Sequence, residues 1–222
     1  MPVKKFVGEH NQRAKRSKSM KEDDKKTVSA PENLPLEIHP FEPFIPDNAK
    51  VLIMGTFPPQ PKRWAMDFYY PNRSNDFWPM MGLIFLGDRD ALYDRAASQF
   101  RLDQIKDLLN ERGIALNDTG HKIRRLMNNA SDKFLEIVEP VNLDGLLERM
   151  PDCRAVATTG EKAADVVASL TGTEPPRMGQ MVRDPVRGLD LWRMPSTSRA
   201  YPLALEKKAA YYEAMFRSAG IL

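Results

Sequence analysis

Ala49-Lys50-Val51-Leu52-Ile53-Met54-Gly55 is the stretch that decides how this chain folds. It is a short apolar run closed by a glycine, with no polar residue alternating through Val51–Met54. Such a run suits a strand covered on both faces, as in a parallel sheet, and is too short for a buried helix. Three later stretches are further strand candidates: Ile114-Ala115-Leu116, then Ala155-Val156-Ala157-Thr158-Thr159 ending at Gly160, then Leu189 to Met194 ending at Pro195. Helical patterns lie between and after them. Leu102, Ile105, Leu108 and Leu109 share one helix face that stops at Gly113. A second helix is predicted from Glu161 to about Leu170, and a last one from about Leu203 to Ser218 with Gly220 as its stop. Strands alternating with helices predict βαβ units. The expected fold is therefore α/β, a three-layer α/β/α sandwich around a central four-stranded parallel sheet. Ligands in such sheets bind where loops leave the carboxyl ends of the strands, which puts the loops after Gly55, Asn117, Gly160 and Pro195 in play.

The 222 residues are 42% hydrophobic and 28% charged, a mix that supports a real core. Residues 1–33 read as a basic, disordered tail, and residues 34–222 as a single α/β domain. Pro35, Pro40, Pro43 and Pro46 make residues 34–48 an extended lead-in, because proline fixes φ and donates no hydrogen bond. Net charge is +3, unevenly spread. The tail holds nine of the 33 Lys/Arg and five of the 30 Asp/Glu; the remaining 24 and 25 leave the body at −1. Any attraction for nucleic acid must then come from the tail or from a local patch.

Several classes drop out. No apolar run approaches the roughly 20 residues that span a bilayer. The opening lysines lead into no apolar segment, so no signal peptide is expected and the expected address is the cytoplasm. Cys153 stands alone, which excludes an internal disulfide and a four-cysteine cluster. His10, His39 and His121 form no ligand pair, so neither metal nor cofactor is expected. A monomer is the expected state.

Three segments can carry chemistry. Gly55-Thr56-Phe57-Pro58-Pro59 is a stiff loop in which glycine permits close approach of backbone to a ligand. Phe68-Tyr69-Tyr70 and Phe77-Trp78 place five aromatics in eleven residues, interleaved with Asn72, Arg73, Ser74 and Asn75. Aromatic faces stack on bases and amides read base edges, although packing alone explains most aromatics, and Trp78 is expected in the core. Pro195-Ser196-Thr197-Ser198-Arg199 offers three hydroxyls and a cation before the last helix, suited to helix capping or to phosphate.

In this order, the three segments resemble the motifs of the uracil-DNA glycosylase superfamily. The Gly55–Pro59 loop resembles its first motif, and Tyr69 to Trp78 resembles the Asn-x-Phe-Trp segment of the mismatch-specific uracil and hypoxanthine branches. Met194-Pro195-Ser196-Thr197-Ser198-Arg199 resembles the Pro-Ser motif that clamps the DNA backbone. The resemblance covers about residue 47 to the end. Phe57 stands where other branches carry a water-positioning Asn or Asp, and Met194 where the classical enzymes carry His. The resemblance therefore implies a DNA glycosylase acting on uracil or hypoxanthine, with Asn75 as the catalytic residue. It implies Tyr70 against the flipped base, with Gly55, Thr56, Phe57 and Pro58 around it. Ser196, Thr197, Ser198 and Arg199 fall on the DNA backbone.

Asp118, at the end of Leu116-Asn117-Asp118, faces the same rim and can activate water; it can equally cap a helix starting near His121. Phe57 and Met194 also leave open a module that binds nucleic acid without catalysis. A third reading is an enzyme on free nucleosides or nucleotides with Arg199 as phosphate clamp.

Overall fold

The computed structural model describes residues 34–127 and 132–222; the expected tail, 1–33, lies outside the described residues. In chain order the elements are β1 (Leu36–Ile38), β2 (Val51–Gly55), α1 (Phe77–Leu86), β3 (Tyr93–Asp94), β4 (Gln99–Phe100), α2 (Leu102–Arg112), β5 (Ile114–Asp118) and β6 (Gly120–Arg125). There follow β7 (Leu135–Pro140), α3 (Leu143–Leu147), β8 (Ala155–Thr158), α4 (Glu161–Thr171), β9 (Gln180–Asp184), β10 (Leu189–Arg193) and α5 (Leu205–Ser218).

Every residue of β2 is buried. Successive side chains in a strand point to opposite faces. Val51 and Ile53 accordingly pack with α1, α2 and α5, while Leu52 and Met54 pack with α3 and α4. Two apolar layers thus cover one sheet, which is the expected three-layer arrangement. The helix predicted before Gly113 is α2, and Gly113 ends it at φ 67°. A Cβ there would also stand 2.4 Å from the Asn48 carbonyl oxygen, so only glycine fits.

The central sheet has five strands, in the order β5-β2-β8-β10-β9. The four expected strands are mutually parallel, and β9 adds an antiparallel edge beside β10. Sequence reading missed β9 because Gln180-Met181-Val182-Arg183-Asp184 is largely exposed and shows no apolar run. A second sheet, β1-β6-β7, is antiparallel. It overturns the helix expected near His121: residues Gly120–Arg125 are a strand, paired with Leu36–Ile38 from the proline-rich lead-in. Asp118 therefore caps no helix. Residues distant in sequence supply the partner strand, and that pairing outweighs the local cap-like signal. The last helix begins at Leu205 with Ala204 at its cap, so Ser196, Thr197 and Ser198 do not cap it either.

Register then places the site. Gly55 lies beside Asp118, Met54 beside Thr158, and Arg193 beside Thr158. Three strands therefore end on one rim, and the loop after β10 leaves from the same edge. Past β2 the chain moves to the α1 face, and past β8 to the α4 face. The crevice between those two departures is where open α/β sheets bind ligands.

Candidate active site

At that crevice lies a cavity of about 620 Å³. It brings together Gly55, Thr56, Phe57 and Pro58, then Tyr70, Asn75 and Asp118, and also Ser196, Thr197, Ser198 and Arg199. The last loop is far from the first in sequence and adjacent in space.

The first loop is fixed by its backbone. Thr119 and Gly120 amides donate to the carbonyls of Gly55 (2.9 Å) and Thr56 (3.0 Å). Among the described residues the Thr56 and Phe57 amides of this turn have no acceptor, which leaves them open to a ligand. A Cβ on Gly55 would stand 2.5 Å from Asp118 Oδ1 and 3.4 Å from Tyr70 Oη, so glycine is what lets both side chains close on this point. The Phe57 ring meets the edge of His39 at 5.3 Å and lies 5.9 Å from the Arg125 guanidinium. Arg125 in turn donates to the Pro58 carbonyl (3.2 Å) and grips Glu37 with two nitrogens. The β1-β6 sheet, unforeseen from sequence, is thus the buttress of the first loop.

Of the five clustered aromatics, Phe68, Tyr69, Phe77 and Trp78 are core. Tyr70 alone edges the cavity. It holds φ 52°, a conformation costly for a bulky side chain and characteristic of functional turns. One face of its ring is stacked on Phe77 at 3.7 Å, and its hydroxyl lies 3.3 Å from Thr159 Oγ1. Burial, reinforced by the charge of Asp118, holds the phenol firmly in its protonated form.

Asn75 has a local duty. Its Oδ1 accepts the Phe77 amide at 2.8 Å, satisfying one of the donors that open α1. Among the described residues its Nδ2 has no acceptor, and a bridge to Ser198 ties it to the last loop. The neighbouring Asp76 joins both loops more strongly. Its amide donates to the Thr197 carbonyl at 2.8 Å. Its carboxylate accepts from Arg199 Nε (3.1 Å) and from Lys208 Nζ (2.8 Å). Lys208, 0% exposed, also donates to the Ser198 carbonyl at 2.8 Å. Ser196 and Ser198 hydroxyls accept amides within the loop, which leaves their O–H groups as donors toward a ligand.

Asp118 does not stand alone. Its Oδ2 accepts from His39 Nε2 at 2.9 Å, a pair that is buried on both sides. His39 Nδ1 sits 3.2 Å from the Phe41 amide and 2.9 Å from the Phe41 carbonyl, so the ring is satisfied neutral or protonated. Burial opposes the charge on His39, but the bond to Asp118, its carboxylate charge and the Phe41 carbonyl outweigh that and raise the histidine above its ordinary 6.5. A second carboxyl, Asp132, lines the cavity and accepts from Thr56 Oγ1 at 3.0 Å. Burial pushes it upward, against the Thr56 bond and with help from the Asp118 charge.

Sequence reasoning did not find His39, Thr159, Arg125, Asp132, Asp76 or Lys208. Only Asp76 carried a signal, since it adjoins Asn75. Met194 is 1% exposed within the core. Among the described residues no helix is long and apolar enough to cross a membrane.

No protein family matches this chain, and no curated protein matches it. Among solved structures, one similar chain is the solution NMR structure of a Methanosarcina acetivorans protein described provisionally as a uracil DNA glycosylase. The TM-score is 0.59 at 22% identity, over 84% of this chain and 99% of that one. At that identity the likeness establishes a shared α/β fold.

Proposed function

We propose that this protein is a monofunctional DNA glycosylase that flips a deaminated base, uracil or hypoxanthine, into the cavity and hydrolyses its N-glycosidic bond. The observation that carries this reading is the convergence of Asn75 and Asp118 with two backbone-rich loops on one cavity. The shared fold is consistent with it.

Base departure passes through an oxocarbenium-like sugar and a developing base anion. Asp118, held by His39 through Oδ2, offers Oδ1 to a water. That oxygen attacks C1′ as the C–N bond breaks, and its proton passes to Asp118. The leaving base then takes up a proton from solvent and Asp118 returns its proton to solvent, which leaves an abasic sugar, a free base and the carboxylate regenerated. The Asn75 Nδ2 and the amides of the Thr56–Phe57 turn donate to the base as it gains charge. Asn75 is thereby a donor to the base more than a holder of water, because Oδ1 is already committed to Phe77. The free face of Tyr70 stacks on the base. Ser196, Ser198 and Arg199 hold flanking phosphates.

The test uses labelled oligonucleotides with a single uracil, hypoxanthine or xanthine, followed by alkaline cleavage at abasic sites. Breaks are expected at uracil or hypoxanthine. Asp118→Asn should lower the single-turnover rate by about 10²–10⁴-fold. Asn75→Asp keeps an acceptor for the Phe77 amide but removes the donor, so it should lose activity while its melting point stays near wild type. Full activity in both variants sinks the assignment. Binding without breaks on any substrate would favour a non-catalytic module, a reading to which the buried Met194 and apolar Phe57 lend weight.

A further inference from the structure

We propose that the cleft beside the site cavity, walled by the β3-β4 hairpin, carries the phosphodiester backbone of the DNA strand on one side of the flipped nucleotide. This rests on the glycosylase reading and extends it to the path of the strand. The cleft encloses about 540 Å³ and shares Ser74 and Arg199 with the site cavity, so a strand leaving one enters the other.

Its charge is local and one-sided. Arg73, Arg89, Arg95 and Arg199 line it against a single carboxylate, Asp90. Residues 34–222 as a whole carry 24 Lys/Arg and 25 Asp/Glu, so this density is not a reflection of a basic body. Three of the arginines are steadied at one nitrogen and keep the other donors. Arg199 Nε is on Asp76, Arg73 Nη1 lies 3.3 Å from Tyr93 Oη, and Arg95 Nη2 lies 2.6 Å from Asp90 Oδ2. A guanidinium has five N–H donors in a fixed fork, so most of each remains available to phosphate oxygens. The side chains of Arg95 and Arg199 are 74% and 50% exposed.

The wall is held in place. Gly82 in α1 allows the Asp88 carbonyl to approach within 2.6 Å of where a Cβ would stand, and the Asp88 amide donates back to the Gly82 carbonyl. Leu92 is core, and Tyr93 meets Phe100 edge-to-face at 5.2 Å across the hairpin. The hairpin backbone that bears Arg89 and Arg95 is therefore anchored to α1, which Asn75 and Asp76 immediately precede. The aromatics of the cleft are spent on packing: Tyr93 and Phe100 on each other, Trp78 in the core. With four arginines on its lining and its half-buried rings held against each other, the cleft fits the sugar–phosphate backbone and is indifferent to sequence.

The experiment uses the full chain and the double variant Arg89→Ala/Arg95→Ala, neither residue lining the site cavity. Binding is measured by fluorescence anisotropy between 50 and 300 mM salt, on oligonucleotides bearing a non-cleavable abasic analogue. The analogue is flanked by short arms extended by about three nucleotides on one side or the other. Wild type should gain affinity from extension on one side only. The variant should lose that gain, and its log–log salt slope should fall by about 1–2, at 0.7–0.9 per phosphate contact. Its single-turnover cleavage rate at saturating protein should be unchanged. An unchanged slope and an unchanged arm preference in an active variant overturn the cleft while leaving the glycosylase reading intact. A variant-sensitive slope in a protein that cleaves no base keeps the cleft and overturns the glycosylase.

Discussion

Lys208→Met tests whether the buried Asp76–Lys208 pair holds the last loop against the Asn75 segment. Methionine conserves length and removes the ammonium. Two charged hydrogen bonds are lost, to Asp76 Oδ2 and to the Ser198 carbonyl, both 2.8 Å in the native protein. Asp76 remains buried, with Arg199 as its one remaining charged partner. Removing one member of a buried pair costs about 3–5 kcal/mol, because a charge is left in low dielectric. Arg199 is half-exposed and keeps part of that compensation, which puts the expected loss near the lower end, about 3 kcal/mol. For a chain of this size each kcal/mol moves the melting point about 2–4 °C, so Tm should fall by about 6–12 °C. Asp76→Asn added to Lys208→Met removes the orphaned charge, and the double variant should be more stable than Lys208→Met alone. DNA affinity should weaken in the single variant, since the Ser198 carbonyl loses its anchor. Thermal and urea unfolding of the wild type, both single variants and the double variant close the cycle. A Lys208→Met loss under about 1 kcal/mol, or a double variant no more stable than the single, would refute the reasoning.

Gly55→Ala should cut activity by at least an order of magnitude at a stability cost of about 1–3 kcal/mol, since its Cβ meets Asp118 Oδ1 at 2.5 Å and neither Asp118, held by His39, nor Tyr70, backed by Phe77, can retreat freely. Wild-type kinetics in that variant would separate Asp118 from the reaction. The raised pKa of His39 makes its contribution to stability complete below pH 6.5 and lost as pH rises through the folded-state value above it. Urea midpoints between pH 5.5 and 8.5 should therefore decline across that window in wild type more than in His39→Gln, which keeps an amide donor but does not titrate. Equal slopes in the two proteins would mean that His39 is no better partnered folded than unfolded.

The central strands were legible because their signal is local. Val51–Met54, Ile114–Leu116 and Ala155–Thr158 are buried throughout, the second on an edge strand bridged by Phe44, so burial leaves an apolar run in the sequence, while Leu189–Arg193 carries the signal only in Leu189, Leu191 and Trp192. Helix α2 was legible for the same reason, through one apolar face and Gly113. β1, β6, β7 and β9 were not. They are short, partly exposed or charged, and they become strands because another segment offers its backbone.

The site divides along the same line. The loops after β2 and β10 and the Asn75 segment could be nominated from residue type and order alone, since each carries its own Gly, Pro, aromatic or hydroxyl signature. What each side chain does there could not. His39 reaches Asp118 across 79 residues and Lys208 reaches Asp76 across 132. Those pairings are created by the parallel register that sets Gly55 beside Asp118 and by the packing of α5 on the sheet. By itself the sequence determined which backbone segments would meet at the carboxyl rim, because burial and chain stiffness are written locally. Only the tertiary structure decided that Asn75 spends its oxygen on a helix start, that Asp118 leans on a histidine, and that a buried lysine joins the two loops. The physical reason is that the charge, burial and orientation of a polar group are set by neighbours that the chain order does not name.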